Sequence, residues 1–98
     1  MTISNAIVTA YCACSICCGP GRPIGANGKL PKSNISIAAP RNIPLNTTVT
    51  VILPSGRRIR RVVHDRTALR YDGRWDIYRP THKSAKAFGI QRGTVIIE

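Results

Sequence analysis

A small, mainly β domain with about six strands and one short helix is the fold this sequence predicts, and three observations carry that expectation. Val, Ile and Thr concentrate in short segments of alternating polarity. Clusters of Gly, Pro and Asn separate those segments. No stretch of the 98 residues has the length and 3.6-residue period of a long helix. A chain of this size buries roughly 60 to 65% of its unfolded surface, enough for one core, so residues 1–98 read as a single domain. Short strands in this number close into a barrel or stack as a sandwich.

Taken in order, "NAIVTAY" (5–11) reads as the first strand, and "NISIAA" (34–39) as the second, with Ile35, Ile37 and Ala39 on one face. The 12–33 stretch between them is a Cys-rich loop. "TTVTVIL" (47–53) and "RRIRRVVH" (57–64) are a hairpin joined by "PSG". In the second of these, Arg57, Ile59, Arg61 and Val63 share one face, while Arg58, Arg60, Val62 and His64 share the other. Its arginines read as a solvated sheet edge that resists pairing with another sheet. "RWDIY" (74–78) is a further strand. "THKSAKAFG" (81–89) is the helix, about 81–88, with Thr81 as N-cap and Gly89 as its stop. "GTVIIE" closes the chain as a strand.

Fifteen Lys and Arg against four acids leave a formal charge of +11, which favours an anionic partner: nucleic acid, acidic glycan, wall or lipid phosphate. No helix-turn-helix, zinc-finger or aromatic-interleaved basic pattern is present, so specific nucleic-acid binding is not expected. "MTISNAIVTA" has neither a basic start nor a long apolar middle, so no secretion signal is read and synthesis in the cytoplasm is expected. Cys12, Cys14, Cys17 and Cys18 lie within seven residues. Their three possible disulfide pairings, structural thiols, or a thiol activated by His64 or His82 all stay open. A zinc site takes its second ligand pair from a distant segment, so neither metal nor cofactor is expected. His64 and Asp65 are neighbours on an extended strand and point to opposite faces, which argues against a direct dyad.

Three of the four acids, Asp65, Asp72 and Asp76, fall within "VVHDRTALRYDGRWDIY" (62–78). Asp72 precedes Gly73 in a turn signal. Asp76 lies inside a short apolar strand, where a carboxylate is costly unless it is hydrogen-bonded or faces a cleft, and where its pKa rises. That is a physical opening for acid catalysis.

"ISIAAPRNIPLNTTVTV", "VVHD", "WDIYRPTHKSAKAFG" and "GTVIIE" together resemble, in order over about residues 35–98, the three-aspartate (3D) domain family. That family is a double-psi β-barrel related to the catalytic barrel of membrane-bound lytic transglycosylase A. "TAYCACSICCG" at 9–19 resembles the amino-terminal strand and loop of a cysteine-bearing branch. The resemblance implies a six-stranded double-psi barrel and a peptidoglycan lytic transglycosylase, a lyase that cleaves the MurNAc-β-1,4-GlcNAc bond to a 1,6-anhydro product. It matches Asp65 and Asp76 to the second and third family aspartates. Asp76 is then expected as the general acid/base assisted by Asp65, with Tyr78, Arg66, Thr67 and Tyr11 as substrate-binding residues. The first family aspartate is replaced in "AAP" (38–40), Asn46 stands where the family has Gly, and Asp65 is followed by Arg-Thr-Ala. A small basic protein of this kind suits phage or prophage lysis, a monomer working on wall or periplasmic glycan strands and adhering to anionic wall or outer-membrane polymers. Two other readings stay open: a non-catalytic wall-binding barrel like the expansin-like relatives of the fold, and a polyanion binder using Arg57 to Arg61.

Overall fold

In the computed structural model, which describes residues 1–12, 26–67, 71 and 73–98, six strands close into a barrel. They are β1 (Thr2–Tyr11), β2 (Ser36–Ala39), β3 (Thr48–Ile52), β4 (Arg58–Arg66), β5 (Trp75–Tyr78) and β6 (Gln91–Ile97); one helix, α1 (His82–Phe88), precedes β6. The order around the barrel is β1-β5-β2-β4-β3-β6. β1 with β5 and β2 with β4 pair in parallel, and the other four pairs are antiparallel. The expected mainly β fold with one short helix is therefore present. The cysteines at 14, 17 and 18 and the turn acid Asp72 lie outside the described residues.

Strand alternation builds the core. Val8, Ile37, Val49, Val51, Val63, Trp75, Ile77 and Val95 are almost completely buried, and Ala6, Ala39 and Ile59 fill between them. Closure gives every strand two neighbours, with β4 between β2 and β3, but the β2–β4 ladder starts only at Val62, so Arg58–Arg61 pair on one side alone, with β3, and the expected arginine-bearing edge is present over that half. Arg58 and Arg60 are exposed on that half, opposite Ile52 and Thr50 of β3. The apolar stripe of the second strand is also shorter than expected, because Ile35 precedes β2 and is exposed.

Local signals act where the sequence places them. Thr81 caps α1, its hydroxyl accepting from the Ser84 amide at 3.1 Å, and Gly89 ends the helix at φ +70°. Asn46, standing where the resembled family has Gly, adopts φ +71°, a left-handed conformation that Asn tolerates better than other non-glycine residues. Gly93 in β6 is required for a different reason: a Cβ there would sit 2.8 Å from the Ile52 carbonyl oxygen across the β3–β6 pair. Gly93→Ala is expected to destabilise the barrel by about 1–3 kcal/mol, because backbone on a paired strand cannot yield as a flexible side chain does. Urea unfolding of the variant against the wild type measures it.

Candidate functional site

The two central residues of β2 are paired on both sides. Ile37 pairs with Ile77 and Val63, and Ala38 pairs with Asp76 and Asp65. The β2–β4 register advances from Ile37↔Val63 directly to Ala38↔Asp65, so His64 is the extra residue of a bulge. Val63 is in the core; without the bulge Asp65, two residues on, would face the core as well. The bulge turns Asp65 onto the face that carries Ala38. Continuing across β5 to β1, Asp76 pairs with Thr9. Directly opposed residues share a face, so Thr9, Asp76, Ala38 and Asp65 form one row over four strands. In this row the residue between the two acids is Ala38, whose side chain is a methyl group.

The two carboxylates differ in environment. Asp76 is largely buried, and burial is the main cause that pushes its pKa up to about 6; the Asp65 charge adds to the rise, while the Thr9 hydrogen bond and the Arg74 charge oppose it. The Thr9 hydroxyl donates to Asp76 Oδ1 at 3.0 Å. Asp65 instead accepts from backbone, its Oδ1 taking the amides of Ala26 at 2.9 Å and Arg66 at 2.8 Å. One acid is thus poised to hold a proton near neutrality, and the other is pinned by two fixed donors.

Tyr78 follows Asp76 by two residues on the same face and meets Tyr11 edge to face, with centroids 5.5 Å apart. Tyr11 is itself buried, so it supports the Tyr78 ring more than it offers a surface. Thr67 is 5% exposed, and its Oγ1 has no hydrogen-bond partner. Arg66 is half-buried with Nη1 likewise unpartnered. The row therefore brings together the two acids and Tyr78, with Arg66 and Thr67 following Asp65 along the chain.

Thr9, Arg74 and the Ala26 amide are site groups that local sequence reading missed. Thr9 reaches Asp76 only through the parallel β1–β5 pairing of segments 67 residues apart, which no local pattern encodes. His64 is engaged elsewhere, its Nδ1 lying 2.7 Å from the buried Ser36 hydroxyl, which also accepts from the Lys32 amide. Desolvation and then Lys32 and Lys29 lower the His64 pKa, which favours the neutral ring, and its tautomer sets which of Nδ1 and the Ser36 hydroxyl donates. Cys12 Sγ lies 3.7 Å from His82 Nδ1, at the far end of β1. Among the described residues no three His, Cys, Asp or Glu side chains converge on a metal position. A shallow hollow of about 220 Å³ over Asn34, Ile35, Thr48, Arg60, Arg61 and Val62 contains neither aspartate.

The sign of the Asp76 shift predicts a stability change. The folded chain holds this proton more tightly than the unfolded chain, so stability falls as pH rises from 3.8 to about 6 and stays lower above that. Asp76→Asn is expected to stabilise the protein at pH 7 by about 1–3 kcal/mol. The gain should vanish at pH 4, as read by urea unfolding at both values. Thr9→Val removes the opposing hydrogen bond and should move the Asp76 carboxyl titration, followed by NMR, upward from about 6.

No protein-family model and no curated protein sequence matches the chain. Among solved structures, the barrel is similar to an expansin from Clavibacter michiganensis in its apo form, with TM-score 0.65 and 20% identity over all of this chain and 50% of the expansin chain. It is also similar to MltA from E. coli, with TM-score 0.58 and 22% identity over 76% of this chain and 27% of the MltA chain. The chain thus spans half of one of these proteins and about a quarter of the other, and at these identities what it shares with both is the barrel fold.

Proposed function

We infer that this chain is a cell-wall barrel of the double-psi type that cleaves peptidoglycan glycan strands as a lytic transglycosylase, with Asp76 as its general acid/base. The observation that carries this reading is Asp76 itself, a largely buried carboxyl with a pKa near 6 in one row with Asp65. The three-aspartate resemblance of residues 35–98 and the fold likeness to MltA support it.

The chemistry needs one proton-holding carboxyl. Protonated Asp76 gives its proton to the glycosidic oxygen as the C1–O bond breaks, releasing the GlcNAc hydroxyl. The resulting carboxylate then takes the proton of the muramic C6 hydroxyl while that oxygen bonds to C1, closing the 1,6-anhydro ring and restoring the acid. Water is excluded, so the second carboxylate that activates water in an inverting hydrolase has no counterpart here. Burial keeps proton affinity high at Asp76, with a lesser contribution from Asp65, which is fixed by two amides and sets a negative charge near the developing positive charge at C1. Tyr78 meets the sugar beside Asp76, with Arg66 and Thr67 as further glycan contacts.

A second reading, wall binding without catalysis, is favoured by one observation. Ala39, in the "AAP" segment that lacks the first family aspartate, is fully buried in the core, and β2 contributes no acid to the site. The expansin likeness over the whole chain fits the same reading. On either reading the barrel works at the cell wall, with its positive charge aiding adhesion to anionic wall polymers.

Incubation of purified protein with peptidoglycan sacculi, followed by mass spectrometry, separates the readings. Expected products are anhydromuropeptides, one water lighter than hydrolytic fragments, absent with Asp76→Asn. The rate should fall as pH rises past about 6, where Asp76 loses its proton. Sacculus binding with no anhydro products at any pH would leave the binding reading in place of the enzymatic one.

A further inference from the structure

At one end of the barrel the charge balance fails. Arg57, Ile59, Arg61 and Val63 alternate onto one side of the chain entering and forming β4, and Ile59 and Val63 are core residues. Arg61 pairs with Val49, which is fully buried, so its stem starts on the inward row. It does so at the barrel end, because the β2–β4 ladder begins only at the next residue, Ser36↔Val62. Arg79 leaves β5 at the same end, its amide donating to the Tyr11 carbonyl at 2.8 Å and its guanidinium lying 5.2 Å from the Phe88 ring centroid.

Arg61 and Arg79 are half-buried at this end, and Arg57 is exposed beside them. Burial first, then the charges of Arg79 and Arg57, lower the Arg61 pKa. Arg61 Nη1 finds the Arg60 carbonyl at 2.8 Å, but the Nε atoms of Arg61 and Arg79 are buried without a partner. Among the described residues the one ion pair is Arg60 with Glu98, at 3.1 Å, so no described carboxylate offsets the trio. Partly desolvated cations without a counter-charge are destabilising, and an anion that accepts from several guanidinium groups at once relieves that. Three cations from two elements at one barrel end suit a tetrahedral oxyanion with acceptors in several directions better than a planar carboxylate.

We propose that Arg57, Arg61 and Arg79 form a binding site for a phosphate group at the barrel end beside α1. The site is separate from the Asp76 row and stands whether or not the barrel is catalytic. Its phosphate belongs either to free phosphate or to a phosphodiester chain.

The test is calorimetric titration of the full chain with inorganic phosphate and with a glycerol-phosphate oligomer, at ionic strength held constant with sodium chloride. Arg61→Gln with Arg79→Gln should weaken binding at least about tenfold. Arg58→Gln with Lys29→Gln, exposed positions that remove the same net charge, should weaken it less than about twofold. Preference for inorganic phosphate would identify the free ion as the ligand, and preference for the oligomer the phosphodiester; either result supports the site. Equal weakening by the two double variants would reduce the effect to net charge and overturn the proposal, as would no binding of either anion. If the Arg61/Arg79 double variant fails to fold, the exposed Arg57→Gln decides: at least about threefold weakening supports the site, and no change overturns it.

Discussion

Strand β2 constrains the rest of this molecule. Its four residues are all buried, and it closes the barrel by pairing in parallel with β4 on one side and antiparallel with β5 on the other. Those two neighbours carry Asp65 and Asp76, so the separation of the acids is the width of one strand. Near 4.8 Å between adjacent strands, two strand spacings place the backbones of the acid-bearing residues about 10 Å apart. Side chains rising on the same face over an alanine can lean across that gap, and the charge of Asp65 is felt at Asp76. A larger residue at position 38 would stand between them.

The bulge at His64 serves this arrangement twice. It rotates Asp65 out of the core face, and it leaves His64 to bind Ser36, whose hydroxyl also holds the Lys32 amide. The segment from Ala26 to Lys32 is thereby tied to β4 through Asp65, the His64 carbonyl and Ser36. Asp65 is therefore both a group of the candidate site and an anchor for the segment from Ala26. Its rigidity contrasts with Asp76, which has one side-chain donor and a buried surface, the combination that leaves a proton exchangeable near neutral pH.

Charge is distributed with the same asymmetry. Four acids face fifteen cations, and of the three acids in described positions Glu98 pairs with Arg60 while Asp65 and Asp76 sit in the row. The arginines at the other barrel end are left to repel one another. Among the described residues the acids are thus concentrated in the row and at the chain's last residue, while cations elsewhere are left uncompensated.

Strand identity, the PSG hairpin, the helix with its Thr81 cap and the burial of alternating Val and Ile were legible because each rests on residues a few positions apart, where backbone geometry ties sequence period to side-chain direction. The same rule made Asp76 visible as an acid in an apolar strand. The rule fails at Asp65: strict alternation puts it on the core face with Val63, and only pairing with β2 creates the bulge that turns it out. Thr9 and Arg74 were invisible for the same reason, since their relation to Asp76 depends on barrel closure and chain return. The arginine pattern of β4 marked its one-sided half, Arg58–Arg61, but a strand's charge pattern does not reveal that Val62 onward is paired on both sides. The sequence by itself determined what each strand is and which acids are scarce enough to matter. Tertiary structure alone decided which of them meet, because register across strands is set by closing the barrel around one shared core.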